Sequence, residues 1–201
     1  MNVYLINIKD VTKDVIEEVK QKLPSRYQKA LRYKLEKDFK LSIGVSYLII
    51  KAIPNIKDDD LSYDDNGKPY CKNIYFNVSH SGSYGVLVKG TSQIGIDIEK
   101  VDFKHLAVVN KVCNDEEIEF INNSIERFCE IWTIKESISK TTGKGLKENF
   151  KDINTLFYFE KQKILFDGNT YFVKTTTFKD KNDKYYISVT QNNDFDGIKV
   201  I

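Results

Sequence analysis

Apolar and polar positions alternate through Val3-Tyr4-Leu5-Ile6-Asn7-Ile8, the period of a strand with one buried face. Asp10 or Thr12 can then cap a helix running to about Lys22, and Pro24-Ser25 restarts the chain. From Arg26 to about Ile53 apolar residues recur at helical spacing (Leu31, Leu35, Phe39, Ile43, Tyr47, Ile50), with the basic residues mostly opposite, until Pro54 ends the run. This predicts one long amphipathic helix or two consecutive ones. Asp64-Asp65-Asn66-Gly67-Lys68-Pro69 has the composition of a turn. Three strand-like runs, Ile74 to Val78, Tyr84 to Val88 and Ile94 to Ile98, predict an antiparallel meander. Helical pieces follow at about His105 to Asn110, Asn114 to Ile121 and Ser124 to Lys140, the last stopping at Thr-Thr-Gly-Lys-Gly. Thr155 to Glu160, Lys163 to Phe166, Tyr171 to Phe178 and Tyr185 to Thr190 read as strands. The order of strand, helices and strands occurs roughly twice, which predicts an α+β protein of two similar halves, 1–99 and 100–201, with no flexible linker.

Composition narrows the class. With 201 residues, 41% hydrophobic and 30% charged, and only 10 Gly and 3 Pro, the chain is neither disordered nor collagenous. No stretch reaches the ~20 apolar residues that span a bilayer. Leu41 to Ile53 is interrupted by Ser42, Ser46 and Lys51, and the N-terminus lacks a basic region followed by an apolar one. The expectation is a cytoplasmic protein with no membrane partner. Cys71, Cys113 and Cys129 are odd in number and far apart, implying neither a disulfide framework nor a zinc site. The net charge of +2 conceals an asymmetry: nine Lys or Arg between Lys20 and Lys51 face only Glu36 and Asp38, a local +7 that leaves −5 for the rest. That points to an anionic ligand held locally.

Candidate chemistry begins with Asp97 and Glu99. On a strand both point to one face, about 7 Å apart, while Ile94, Ile96 and Ile98 fill the other. Two such acids repel unless a cation lies between them, and oxygen ligands of this kind suit Mg²⁺; solvated acids on an edge strand are the plainer reading. Trp132, Glu136 and Lys140 stack on one helix face at i, i+4 and i+8, either as a core tryptophan beside a surface ion pair or as a third acid and a cation for a phosphate site. In Phe76-Asn77-Val78-Ser79-His80-Ser81 the adjacent serine and histidine point to opposite faces, and without a G-x-S-x-G elbow they do not form a hydrolase triad. Ser81-Gly82-Ser83 reads plainly as a hydroxyl-rich turn that ends the strand, and a histidine at that turn can instead donate to a phosphate. His105 offers nothing comparable.

Together, Gly67-Lys68-Pro69, Phe76 to Ser81, Ile94 to Glu99, and Trp132 to Lys140 with Gly143-Lys144-Gly145-Leu146 resemble the 4′-phosphopantetheinyl transferase superfamily, in its long single-chain, Sfp-like type. The resemblance runs from about Pro24 to Leu146. It implies a pseudo-twofold pair of α+β halves with the active site at their interface, formed within a monomer. It implies transfer of the 4′-phosphopantetheine arm of coenzyme A to a serine of an apo acyl or peptidyl carrier protein, releasing adenosine 3′,5′-bisphosphate. Asp97, Glu99 and Glu136 match the acids that hold Mg²⁺, with Mn²⁺ as an alternative, together with the coenzyme A pyrophosphate. Lys140 matches the lysine near the phosphates. Lys68 and Pro69 match the turn on the nucleotide, and Ser79 and His80 match a phosphate-contacting pair. Arg26 and Lys29 fall where the family has cations for the 3′-phosphate, Arg32 lies a turn further on, and Ser42 falls near a threonine position preceded here by Lys40-Leu41. Glu136, or a metal-bound water held by it, is the implied base, with Lys140 stabilising the leaving group.

Two other readings compete. One is a non-catalytic protein of the same fold that binds coenzyme A or a carrier protein. The other, a nucleic-acid binder, lacks the excess charge and aromatic interleaving such proteins need. In the segment from Val101 to Asn123, Phe103, Leu106, Val108, Val109 and Val112 either form a carrier-docking patch or pack the interface between halves.

Overall fold

The opening alternation forms strand β1 (Asn2–Asn7), and the cap of helix α1 (Lys13–Lys22) is Thr12, whose side chain accepts from Val15 N. The computed structural model describes residues 1–64, 67–145 and 149–201. Asp65 and Asn66 of the predicted turn and Leu146 of the glycine-lysine motif lie outside the described residues. The basic region is two helices, α2 (Pro24–Ala30), which starts on Pro24, and α3 (Glu36–Ala52). The predicted apolar stripe is out of phase at its start. Leu31 and Leu35 fall between the helices and are 51% and 65% exposed, whereas α3 buries Leu41, Val45, Leu48 and Ile49. A helical period loses its register when carried across a non-helical link.

The meander prediction fails at its third strand. Strands β4 (Tyr75–Ser81) and β5 (Tyr84–Gly90) do form an antiparallel hairpin, after the short pair β2 (Leu61–Tyr63) and β3 (Pro69–Cys71). The other edge of β5 is already taken by β1, so β6 (Ile94–Lys100) cannot pair there and enters a different sheet. That sheet has the order β6-β9-β8-β7, with β7 (Lys163–Phe166), β8 (Asn169–Asp180) and β9 (Asp183–Gln191), all antiparallel. A C-terminal strand β10 (Lys199–Val200), not foreseen in the sequence, runs parallel to β1 and completes the first sheet.

The helical middle section runs through α4 (Val109–Val112), α5 (Asp115–Ile121) and α6 (Ile125–Thr142), which stops where Gly143 takes φ +75°. Residues 155–160, expected as a strand, instead hold helix α7 (Leu156–Lys161). Leu156 to Phe159 are apolar without alternation, a pattern that does not separate a short strand from a helical turn, and Asn154 Oδ1 accepts from Leu156 N at the helix start. Val109 and Val112 are core residues and Leu106 and Val108 pack against them, while Phe103 is 75% exposed. His105 is half-buried, and its Nδ1 lies 3.8 Å from Cys129 Sγ. All three cysteines are free.

Helices α1 to α3 cover one face of the first sheet, burying Ile43 and Ile49 against Phe76 and Leu87. Helix α6 covers the second sheet, with Ile134 and Ile138 in one core with Ile164 and Val173. The remaining faces share a third core, in which Val86 and Val88 meet Ile96, Ile98 and Ile187. Gly95 lets β6 lie directly on α6: a Cβ there would come 2.0 Å from the Ser137 carbonyl oxygen and 2.7 Å from Thr141 N. The strand with the two acids and the helix with Glu136 and Lys140 therefore meet backbone to backbone. Among the described residues no helix is long and apolar enough to cross a membrane.

Candidate active site

Edge strands β4 and β6 of the two sheets run alongside each other, joined by side chains instead of a backbone ladder. Asn77 Oδ1 accepts from Ile96 N at 3.0 Å, and Ser81 Oγ accepts from Lys100 N at 3.1 Å. Along the same seam Ser79 Oγ donates to Asp97 Oδ1 and Ser81 Oγ donates to Glu99 Oε2, each at 2.8 Å. The period of two in Asn77-x-Ser79-x-Ser81 thus meets the period of two in Asp97-x-Glu99. The hydroxyl-rich turn seen in the sequence is the seam's upper end.

The face Trp132, Glu136, Lys140 of α6 looks onto these acids. Lys140 Nζ lies 2.6 Å from Asp97 Oδ1 and 2.9 Å from Ser79 Oγ. Asp97 is 3% exposed, and its Oδ2 is buried with no hydrogen-bond partner among the described residues. Burial pushes the Glu99 carboxyl up to about 7, with the charge of Asp97 adding to it, against hydrogen bonds from Ser81 and Trp132 and the Lys140 ammonium. Such a pair, one oxygen orphaned and one acid resisting ionisation, fits a hard divalent cation bound by oxygen ligands. Glu136 is half-buried on the same wall. Among the described residues no three His, Cys, Asp or Glu gather into a preformed metal cluster, so the three carboxylates share a cavity without converging on one point.

That cavity holds about 600 Å³ and is open on one side. Asp97, Glu99, Glu136 and Lys140, on β6 and α6, form one part of its wall together with Ser79; Arg26, Lys29 and Ser42, on α2 and α3, form another; Lys68, Pro69 and His80 also line it. These eleven residues, all matched to ligand or metal contacts in the sequence, thus face one space. Arg32 and Lys40 do not line it: Arg32 is exposed, and Lys40 pairs with Glu36 at 2.8 Å. Lys68 Nζ donates to the Lys140 carbonyl at 2.5 Å, and burial holds its ammonium below the usual lysine range, opposed by Asp64. Desolvation within the cavity lowers the His80 imidazole, with the Lys140 ammonium contributing, although the residue as a whole is exposed.

Several contributors were not foreseen. Arg26, only 9% exposed, donates through Nε to Ser46 Oγ at 2.7 Å, and Ser46 Oγ in turn donates to the Ser42 carbonyl. Asp38 and Tyr33 also line the cavity. Ser46 sits four residues after Ser42, one helical turn on, a spacing that could have flagged it. Behind α6, Lys135 is fully buried and reaches Glu117 Oε2 at 2.8 Å and the carbonyls of Phe150 and Ile153 at 2.7 and 2.6 Å, which fixes the loop carrying Phe150 against the cavity.

Residues 93–190 match the family model described as the 4′-phosphopantetheinyl transferase superfamily. The chain is 28% identical over 185 residues to the 4′-phosphopantetheinyl transferase gsp of Aneurinibacillus migulanus, covering 87% of this chain and 72% of that protein. It is 35% identical over 91 residues to 4′-phosphopantetheinyl transferase psf-1 of Bacillus pumilus, covering 41% of this chain and 39% of that one. With 4′-phosphopantetheinyl transferase Sfp of Bacillus subtilis (strain 168) it shares 31% identity over 97 residues, 44% of this chain and 43% of that protein. The matches to psf-1 and Sfp therefore take in less than half of either relative. The matched stretch, residues 93–190, holds both acids of β6 and the whole of α6, so the likeness to the 4′-phosphopantetheinyl transferase superfamily falls on the part of the chain that carries Asp97, Glu99, Glu136 and Lys140.

Proposed function

We propose that the chain transfers the 4′-phosphopantetheine arm of coenzyme A to a serine of an apo acyl or peptidyl carrier protein, with Mg²⁺ held by Asp97, Glu99 and Glu136. The observation that carries this reading is the meeting, around one cavity, of a carboxylate wall and a cationic wall. Coenzyme A bears a pyrophosphate and a separate 3′-phosphate, so it needs both: Lys140 and the metal-holding acids for the first, Arg26 and Lys29 for the second. Arg26, Lys29, Asp97 and Glu99 come from before residue 100 and Glu136 and Lys140 from beyond it, which supports an active site between two α+β halves, 1–99 and 100–201, related by a pseudo-twofold and complete in a monomer.

In the reaction the carrier serine Oγ attacks the phosphorus that bears the pantetheine arm. The new O–P bond forms as the bond to the bisphosphate leaving group breaks, and adenosine 3′,5′-bisphosphate departs. Glu136 takes the serine proton, and Lys140 stabilises charge on the leaving oxygen. Mg²⁺, when bound, neutralises pyrophosphate charge. Arg26, Lys29 and His80 orient the nucleotide end, while Lys68 and Pro69 hold the turn beside it. The chain itself supplies no nucleophile.

The test is incubation with coenzyme A, Mg²⁺ and a panel of apo fatty-acid, polyketide and peptidyl carriers. Mass spectrometry should show the phosphopantetheine arm added to at least one carrier. Tight coenzyme A binding with no transfer to any of them would instead favour a non-catalytic binding protein.

A further inference from the structure

The two cations on α2 are contacted from outside their own helix: Ser46 of α3 bonds Arg26 alone, whereas Tyr63, the last residue of β2, engages both. Its hydroxyl accepts from Arg26 Nη1 at 3.4 Å, and the ammonium of Lys29 stands over its ring, 5.6 Å from the centroid. One side chain thus engages both cations by two different interactions, a hydrogen bond and a cation–π contact. Neither interaction cancels charge. A carboxylate at this position would also fix the two side chains, but it would compete with an incoming anion for them. Tyr63 does not line the cavity and is 40% exposed, so it sits behind the cations. The hairpin it belongs to carries Lys68, which is bonded to the Lys140 carbonyl, so the same hairpin joins α2 to α6 across the cavity.

Building on the coenzyme A reading above, we propose that Tyr63 is a positioning residue that presents Arg26 and Lys29 together to the 3′-phosphate of the cosubstrate. Long cationic side chains lose rotamer freedom when they close on a phosphate, and holding them in place beforehand removes part of that loss. The contribution is specific: it acts on a ligand that carries a phosphate monoester on the ribose and not on one that lacks it.

Calorimetric titration with coenzyme A and with 3′-dephospho-coenzyme A tests this on wild type, Tyr63→Phe and Tyr63→Leu. Tyr63→Phe removes only the bond to Arg26 and should weaken coenzyme A about threefold; Tyr63→Leu also removes the ring under Lys29 and should weaken it about tenfold or more. Affinity for 3′-dephospho-coenzyme A should stay the same in all three proteins. Equal losses for both ligands would make Tyr63 a scaffold for the hairpin and overturn the proposal, as would a coenzyme A preference unchanged in both variants. Wild type that fails to prefer coenzyme A would instead overturn the assignment of Arg26 and Lys29 to the phosphate. Tyr63→Phe keeps the ring and its packing, so the test survives if Tyr63→Leu does not fold.

Discussion

Lys140 Nζ and Asp97 Oδ1 stand 2.6 Å apart, joining the last turns of α6 to β6. The contact is one-sided, since Ser79 bonds the same carboxylate oxygen while Oδ2 is buried without a hydrogen-bond partner among the described residues. Replacing Asp97 with Asn keeps the shape but removes the charge that the ammonium and a cation both require. Asp97→Asn is expected to lower kcat for transfer at least about a hundredfold. It should also abolish the Mg²⁺ dependence of coenzyme A binding seen by calorimetry. Retention of both would remove Asp97 from the metal site.

Glu99 makes stability depend on pH. Its folded carboxyl is raised to about 7 from the ordinary 4.5, so the folded state favours the protonated form. The resulting contribution is present below about pH 4.5 and is lost as pH rises through 7. Glu99→Gln should therefore come close to wild type in urea unfolding at pH 4 and exceed it at pH 8 in metal-free buffer, by at most about 3 kcal/mol. An equal gap at both pH values would show that Glu99 does not titrate in this range.

The buried Lys135 and Glu117 form a closed network. Besides the lysine, Glu117 accepts from Thr155 N, Thr155 Oγ1 and Asn114 N. Lys135→Met leaves that carboxylate uncompensated and is expected to cost about 3–5 kcal/mol in denaturant unfolding. The double variant with Glu117→Leu should recover part of the loss. If the double variant is no more stable than the single one, the caps and backbone contacts of Glu117 matter more than the ion pair.

The thiols divide by environment. Burial pushes Cys113 and Cys129 up to about 12, while Cys71 is only partly buried. Iodoacetamide at pH 8 should add one group to the native protein, at Cys71, and three after denaturation, as read by intact mass. Early modification of Cys129 would mean that the half-buried region around His105 opens readily.

The sequence made the site more legible than the sheets. Asp97, Glu99, Glu136 and Lys140 lie on regular elements, where periods of two and four fix direction, so their shared orientation could be read from spacing. Arg26 and Lys29 could be placed near an anion, but not their support from Tyr63 and Ser46, which depends on tertiary contacts. The course of β6 was hidden because nothing in Ile94 to Ile98 signals that β1 has already claimed the free edge of β5. Residues 156–159 misled for a different reason, being an apolar run too short to have a period. Lys135 was hidden because its partner lies 18 residues away, on another helix.

Gly95 has a mechanical consequence. With no side chain between β6 and α6, the acidic wall of the cavity behaves as a single stiff plate, and a larger residue at this position would pry the plate apart. Any give needed to admit cosubstrates of different bulk is then left to the cationic wall, where α2 is followed by the exposed stretch from Leu31 to Leu35. On the assignment proposed above, the reacting end of coenzyme A would be held to tolerance, and any compliance would fall to its nucleotide end.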